Sequence, residues 1–491
     1  MSLSATPVRD FSRQPPTTAG KHPVSHVNPF TDSAISFCNS QGVEAHGVLI
    51  SLSRESIAFE VYNPYSIVQM SEILTRVRIR RSDRDVYTGR ACVNALINTG
   101  LMLVASASLL DPWSDVIDVS SGPELREEVR RFIGDWAANN RRLRPGYVHA
   151  VNSLRSFLVE FSRWLEHGEA IARLADSGTP QDRIRAFLSD VQTPAAAQLE
   201  ELFQQFELEA SRVEEAEVAA HKAFARRELH PLLMCAPFAH RVYVKPLGYA
   251  GDYEMVNMMF RDPWEGGNAY ARVLNAFLLQ NTTVVAHRQR IARLVKTLAS
   301  EAQRVLARRE VFRVLNVGCG PAIEVQRFLK ESPLAERTSI ELVDFNPETL
   351  RYAESQIGQI LRSAGRGTQV VYRGRSVHEL LRDSVRPTPA ERRFDLVYCA
   401  GLFDYLGDRV CGRLLRLFYH WTDAAGLVVA TNVHPQHPVR ALMEHLHDWY
   451  LILRSGPQML QLAPGMGDQD ATTEATGVNV FLEIRKGANE A

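Results

Sequence analysis

Apolar positions recur along this chain with three successive rhythms. From about residue 30 to residue 112 the rhythm is that of strands. His46–Tyr62 gives two β-rich runs around a polar turn at Ser53–Ser56, and Thr75–Arg81 alternates charge with Val77 and Ile79. A further pair of runs hinges at Asn98–Thr99–Gly100, a hairpin signal. Short strands at this spacing predict a small barrel or sandwich, closed off by the link Asp111–Pro123. Helical spacing follows. Leu125, Val129, Phe132, Ile133 and Trp136 share one face, as do Val151, Leu154, Leu158, Phe161 and Leu165. A third segment runs from Pro194 to about His230, with Leu199, Leu202, Phe203 and Phe206 among many acidic residues, whose charge reads as a solvated helix face.

After a glycine- and aromatic-rich stretch from Arg241 and a long helix from near Thr283, strands and helices alternate. The strands are VFRVLNV, SIELVDF, QVVYRG, FDLVYCA and GLVVATNV, with a final one in Thr476–Lys486 that no helix follows. Such alternation predicts a mainly parallel sheet with helices on both faces. The expected divisions are a disordered lead-in at 1–29, a β domain at 30–118, a connecting helical domain at 119–240, a cap with N-terminal helices at 241–310, and an α/β domain at 311–491.

Composition narrows the classes. Fifty-six basic residues balance 56 acidic ones, so no overall charge draws the chain to nucleic acid or an anionic membrane. Six scattered cysteines without a C-x-x-C pair suit a reducing, cytoplasmic setting and argue against a disulfide framework or a zinc site. In His434-Pro-Gln-His437 the flanking prolines and lack of a third ligand favour a loop, so no metal is expected. The first residues carry no apolar signal segment, and no run of apolar residues is long enough for stable membrane insertion. Oligomeric state stays open, a homo-oligomer included.

Chemistry concentrates where an apolar strand, Val314–Val317, runs into Gly318-Cys319-Gly320 and then a helix. Glycines suit a place where a ligand lies against bare backbone, and the helix start offers free N–H groups. The dinucleotide fingerprint G-x-G-x-x-G would need glycine at Ile323, which disfavours NAD. Asp344 ends the second strand 26 positions after Gly318, placed to accept the ribose hydroxyls of an adenosine. The end of the third strand, with Ser376 and Val377, and the loop Ala400–Gly401 after the fourth complete four elements in order.

On these elements the stretch Thr283–Lys486 resembles the class I S-adenosylmethionine-dependent methyltransferases. The resemblance implies a Rossmann-like α/β fold with an antiparallel last strand and S-adenosyl-L-methionine as cofactor. It implies cofactor contacts at Asn316, Gly318, Gly320, Asp344, Phe345, Ser376, Val377, Ala400 and Gly401. Two departures stand out: Asn316 replaces a frequent acid, leaving its amide oxygen or backbone carbonyls to orient the methionine amino group, and Ala322 replaces a frequent glycine. Arg288, on the helix before the first strand, is the first choice for the methionine carboxylate, with a surface salt bridge as its alternative role.

A narrower resemblance, carried by "KPLGYAGDYEMVNMMF", "AHRQRI" and "TGVNVFLEIRK", is to bacterial methyltransferases of 3-hydroxypalmitic acid methyl ester biosynthesis, a quorum-sensing signal pathway. It implies a fatty-acid acceptor. The segment Lys245–Glu254 is then either a packed loop or a cap over the cofactor, with Tyr249 and Glu254 meeting the acceptor. Tyr253, Tyr405 and His434 are the candidates for steering its carboxylate. An ionised carboxylate needs no general base. A different methyl acceptor, or a regulator that binds the cofactor without turnover, remains the alternative. The N-terminal β region resembles a degenerate PilZ domain: Ser51–Ser56 lacks the acid or amide and the glycine of the cyclic di-GMP turn.

Overall fold

The structure, a computed structural model, describes residues 33–488 except 54, 63–67, 82–83, 99–101, 113–125, 128, 131–132, 135, 138–141, 175–177 and 384–392. The expected lead-in, the tip of the 98–100 hairpin and most of the 111–123 link lie outside the described residues.

Six strands, β1 (Ser33–Cys38), β2 (Glu44–Leu52), β3 (Ser56–Tyr62), β4 (Ile73–Arg81), β5 (Arg84–Asn98) and β6 (Met102–Leu109), form a closed antiparallel barrel in the order β1-β2-β3-β6-β5-β4. Ile35 opposite Ile79 closes it. Side chains alternate in and out. Ile35, Phe37, Phe59, Val77, Tyr87 and Ala105 fill the interior, large residues against small ones as a narrow barrel requires.

The helical region is more than a connector. Helices Pro145–Leu174, Pro180–Ala210 and Val218–Leu233 pack with Pro237–Val244, Tyr253–Met258, Ala269–Leu278 and the turn Leu442–Leu446 around one continuous core. The boundary expected at 240/241 is therefore no break in packing. Pro194 does not begin a helix but lies inside one. Its missing N–H and ring clash cost roughly 3 kcal/mol. The buried stripe Ile184, Leu188, Val191, Ala195, Leu199, Phe203 and Phe206 runs through it on both sides and offsets that cost. Val129, Ile133 and Trp136, expected on a packed face, remain about half exposed.

The C-terminal lobe is a seven-stranded sheet: β7 (Phe312–Val317), β8 (Thr338–Asp344), β9 (Gln369–Gly374), β10 (Phe394–Cys399), β11 (Thr422–Val433), β12 (Asp468–Thr473) and β13 (Asn479–Arg485). The order is β12-β13-β11-β10-β7-β8-β9; β7 to β11 are parallel and β13 is antiparallel to β11. The expected strands all form, and β12 is added at an edge. Neighbouring residues of each strand serve opposite faces: Leu315 and Val317 meet one helical layer, Phe312 and Val314 the other. The chain moves outward from β7 to β9 and then returns to pair β10 with β7. Ligands of open α/β sheets bind at such a reversal, beyond the carboxyl ends of the strands. No described helix is long and apolar enough to cross a membrane.

Candidate functional site

A cavity of about 210 Å³ opens at that reversal. Its floor is the turn after β7. Gly318 and Cys319 donate their N–H groups to the Val343 carbonyl (2.8 and 3.1 Å), which folds the turn against β8. Gly318 (φ +70°) and Gly320 (φ +52°) occupy the left-handed region, and so does Ala322 (φ +52°). The glycine conformation is thus kept at 322 by an alanine, at a strain of about 1 kcal/mol.

Asp344 is buried on the cavity wall. One carboxylate oxygen accepts from Gly320 N–H (3.1 Å), the other from Asn346 N–H (3.0 Å). Burial raises its pKa from 3.8 to about 6 against the pull of these donors. Phe345 also lines the cavity, with its ring 5.2 Å from that of Tyr249. Across the reversal, Ala400 and Gly401 complete the floor. A Cβ on Gly401 (φ +93°) would stand 3.1 Å from a guanidinium nitrogen of Arg290.

Arg290, not Arg288, is the arginine of this cavity. It is buried on the wall, its terminal nitrogen donates to His287 Nδ1 (2.9 Å), and its Nε has no hydrogen-bond partner among the described residues. Burial together with this cation holds His287 well below the usual histidine pKa, so its imidazole is neutral. Arg288 is turned off the wall, with its Nε donating to the Met259 carbonyl (2.7 Å).

Asn316 is on the wall as well. Its Nδ2 donates to Glu324 Oε1 (2.9 Å), which also accepts from the Tyr398 hydroxyl (2.8 Å). A carboxylate can only accept, so it holds the amide nitrogen toward itself and leaves Asn316 Oδ1 buried without a partner among the described residues. The acid absent at 316 thus enters the same neighbourhood from Glu324, the second residue of the following helix. Nothing in the sequence separated it from an ordinary helix-start acid.

The remaining expected residues divide. Tyr405 lines the cavity, and its hydroxyl accepts from Trp449 Nε1 (3.0 Å). Tyr249 lines it too, whereas Tyr253 reaches the rim with its hydroxyl committed to Glu348 Oε1 (2.8 Å). Asp252 caps the helix Tyr253–Met258 and pairs with Arg241 (2.9 Å), which fixes the preceding loop residues Tyr249, Ala250 and Gly251 as a wall. Glu254 is not in the site. It is bound to Arg261 (2.6 Å) and Asn257 (3.0 Å).

His434 lies outside as well, its ring nitrogen accepting from Gln436 N–H (3.2 Å) in a surface turn. Ser376 and Val377 are not on the wall. Ser376 forms a reciprocal cap with Glu379 (2.8 and 3.3 Å), and Val377 packs into the core below β10. Beyond the polar end the cavity is apolar, with Phe238, Val242, Met255, Val256, Leu278 and Leu442 among its residues.

No protein-family model matches the chain, and no curated protein matches it. Among solved structures it is similar to a possible exported protein from Bordetella parapertussis (16% identity, 64% of this chain and 100% of that one, TM-score 0.38). It is also similar to magnesium protoporphyrin IX methyltransferase from Synechocystis PCC 6803 with bound SAH (12%, 43% and 88%, TM-score 0.31). A third is the N-methyltransferase NodS from Bradyrhizobium japonicum WM9 in complex with S-adenosyl-L-homocysteine (12%, 48% and 97%, TM-score 0.30). Overlaps this low assign no reaction to this chain.

Proposed function

We propose that the chain is a cytoplasmic S-adenosylmethionine-dependent methyltransferase that esterifies the carboxylate of a long-chain 3-hydroxy fatty acid, giving a methyl ester signal. One observation carries the reading. One cavity at the sheet's reversal joins a polar end, holding a buried carboxylate and, among the described residues, an unpartnered guanidinium nitrogen and an unpartnered amide oxygen, to an apolar lining.

The polar end suits the cofactor group by group. Asp344 accepts the ribose hydroxyls, Arg290 takes the methionine carboxylate, and Asn316 Oδ1, held by Glu324, accepts from the methionine ammonium. Gly318, Gly320 and Gly401 leave room for close approach. When bound, the cofactor supplies a methyl group on a cationic sulfonium. The residues of the chain bind, orient and exclude water. An acid that is already ionised needs no base, so neutral His287 is not required to move a proton. Attack by an anion on a cation cancels charge, which a largely apolar cavity favours. The Tyr405 hydroxyl stands on the wall to orient the acid. The apolar end and the likeness of "KPLGYAGDYEMVNMMF" to the methyl ester family support the acyl chain.

The test presents purified protein with labelled S-adenosylmethionine and fatty acids of graded length, with and without the 3-hydroxyl. Each methylene removed from the best chain is expected to lower specificity about four-fold, from about 0.8 kcal/mol of lost burial. Ester formation indifferent to length, or label appearing only on amines, overturns the substrate.

A further inference from the structure

The wall of the cavity is not built by the C-terminal lobe and the helices alone. Ser40, Gln69, Met70 and Glu72, all from the N-terminal barrel, also line it. They come from the loop after β1 and the turn before β4, and that turn is held from two sides.

Inside the barrel, the buried Glu72 carboxylate accepts from Ser40 N–H (2.9 Å), the Ser40 hydroxyl and Gln69 N–H (2.8 Å). Ser71 takes the left-handed conformation (φ +60°), and its N–H donates to the Val93 carbonyl (2.9 Å). Across the seam, Ile73 N–H donates to the Gly248 carbonyl (2.7 Å) and Met70 N–H to the Tyr405 carbonyl (3.4 Å). The contact is close: a Cβ on Gly248 (φ +86°) would lie 3.0 Å from the Cβ of Ser40.

The segment 447–451 ties the seam to the site. Its odd residues, His447, Trp449 and Leu451, face the cavity. Its even residues face away. Asp448 pairs with Lys222 (3.0 Å) and Arg226 (2.6 Å) of the helical region, and its carbonyl accepts from the Ser71 hydroxyl (3.2 Å). Tyr450 N–H donates to that same hydroxyl. The chain turns here, with His447 at φ −112°, ψ 0° and Asp448 in the left-handed region (φ +48°), and the turn sends the two sets of side chains to opposite sides. One stretch of chain is therefore cavity wall on one side and barrel dock on the other.

We infer that the N-terminal barrel is part of the acceptor site, with the turn Gln69–Glu72 as a wall and Met70 as a residue that sets which acceptors fit. This rests on the methyltransferase reading above. Gln69 N–H, Ser40 and Glu72 are spent on one another, whereas the Met70 side chain, flexible and half-buried, carries no polar bond and presents apolar surface to the cavity. Its backbone is anchored to Tyr405, whose hydroxyl lines the same space. A site closed by barrel, helices and sheet together suits a small molecule rather than a side chain of a folded protein.

The experiment uses the full chain as Met70→Ala, Met70→Trp and Met70→Leu, with Val48→Ser on the barrel exterior as control. S-adenosylhomocysteine affinity and melting temperature are measured first. Methyl transfer from labelled S-adenosylmethionine is then followed to 3-hydroxy acids of roughly 8 to 18 carbons, and to a solvent extract of small molecules from cells that carry the gene.

Met70→Trp is expected to lower kcat/KM for the best acceptor about ten-fold or more and move the optimum to shorter chains. Met70→Ala moves it to longer chains, Met70→Leu stays near the wild type, and S-adenosylhomocysteine affinity stays within about two-fold. If the wild type esterifies acids and no Met70 variant moves the profile, the barrel is outside the site while the fatty-acid reading stands. If the wild type labels only a different compound from the extract, the fatty-acid reading fails and that labelling decides the wall. Its loss in Met70→Trp, with S-adenosylhomocysteine still bound, sustains the wall, and unchanged labelling overturns it. No labelled product from either source overturns both.

Discussion

Replacing Asp344 by asparagine should move affinity and stability in opposite directions. Burial raises the Asp344 pKa from 3.8 to about 6. The difference corresponds to roughly 3 kcal/mol of preference for the neutral form in the folded protein. Between these two values the folded chain holds a proton that the unfolded chain has released. The contribution of Asp344 to stability is therefore fully present below about pH 4. It falls as pH rises through 6, leaving a cost of order 3 kcal/mol at neutral pH.

Asparagine removes that cost but has one acceptor oxygen where the carboxylate serves both Gly320 and Asn346 N–H, a loss of about 1 kcal/mol. Asp344→Asn should then be more stable than the wild type by about 1–2 kcal/mol at pH 7.5 and lose that advantage near pH 4. Its affinity for S-adenosylmethionine should drop about 10- to 100-fold, because a charged acceptor to two hydroxyls is replaced by a neutral one.

Urea unfolding across pH gives the first quantity, and calorimetry with S-adenosylhomocysteine the second. Unchanged affinity in a folded variant would remove Asp344 from the site. A stability difference that does not vary with pH would refute the buried-charge account.

Arg290→Met should weaken S-adenosylhomocysteine at least about 30-fold in calorimetry through loss of a charge-assisted pair, while Arg288→Ala should stay within about two-fold. The reverse ranking would return the carboxylate site to Arg288. The whole chain should not bind cyclic di-GMP saturably at low micromolar concentration. The Ser53–Ser56 turn satisfies itself, Ser53 N–H donating to the Ser56 carbonyl (2.8 Å) and the Ser53 hydroxyl accepting from Ser56 N–H (2.9 Å). Saturable binding in calorimetry would contradict this.

Local pattern was enough to identify β2 to β11 and β13, the G-x-G turn and Asp344. In each, the deciding interactions, strand alternation or a turn between adjacent elements, lie within a few residues. β12 escaped because Asp468–Thr473 is polar. As an edge strand it pairs only with β13, so no buried run marks it. The helix through Pro194 also escaped, since local propensity forbids what a long buried stripe can override.

The choice between Arg288 and Arg290 could not be made from the chain. They stand about 200° apart on one helix, on opposite flanks of the apolar stripe Val284–Ile291–Leu294–Leu298, and periodicity does not say which flank meets the cavity. Met70 beside Tyr405 and Ser71 against Asp448 depend on docking between elements up to 377 positions apart. Such contacts are fixed by the packing of whole layers, and no local spacing encodes them. What the sequence determined alone was most of the elements, the G-x-G turn and the place of Asp344 at the end of β8. The tertiary structure decided which arginine faces the cavity and that three regions of the chain share its wall.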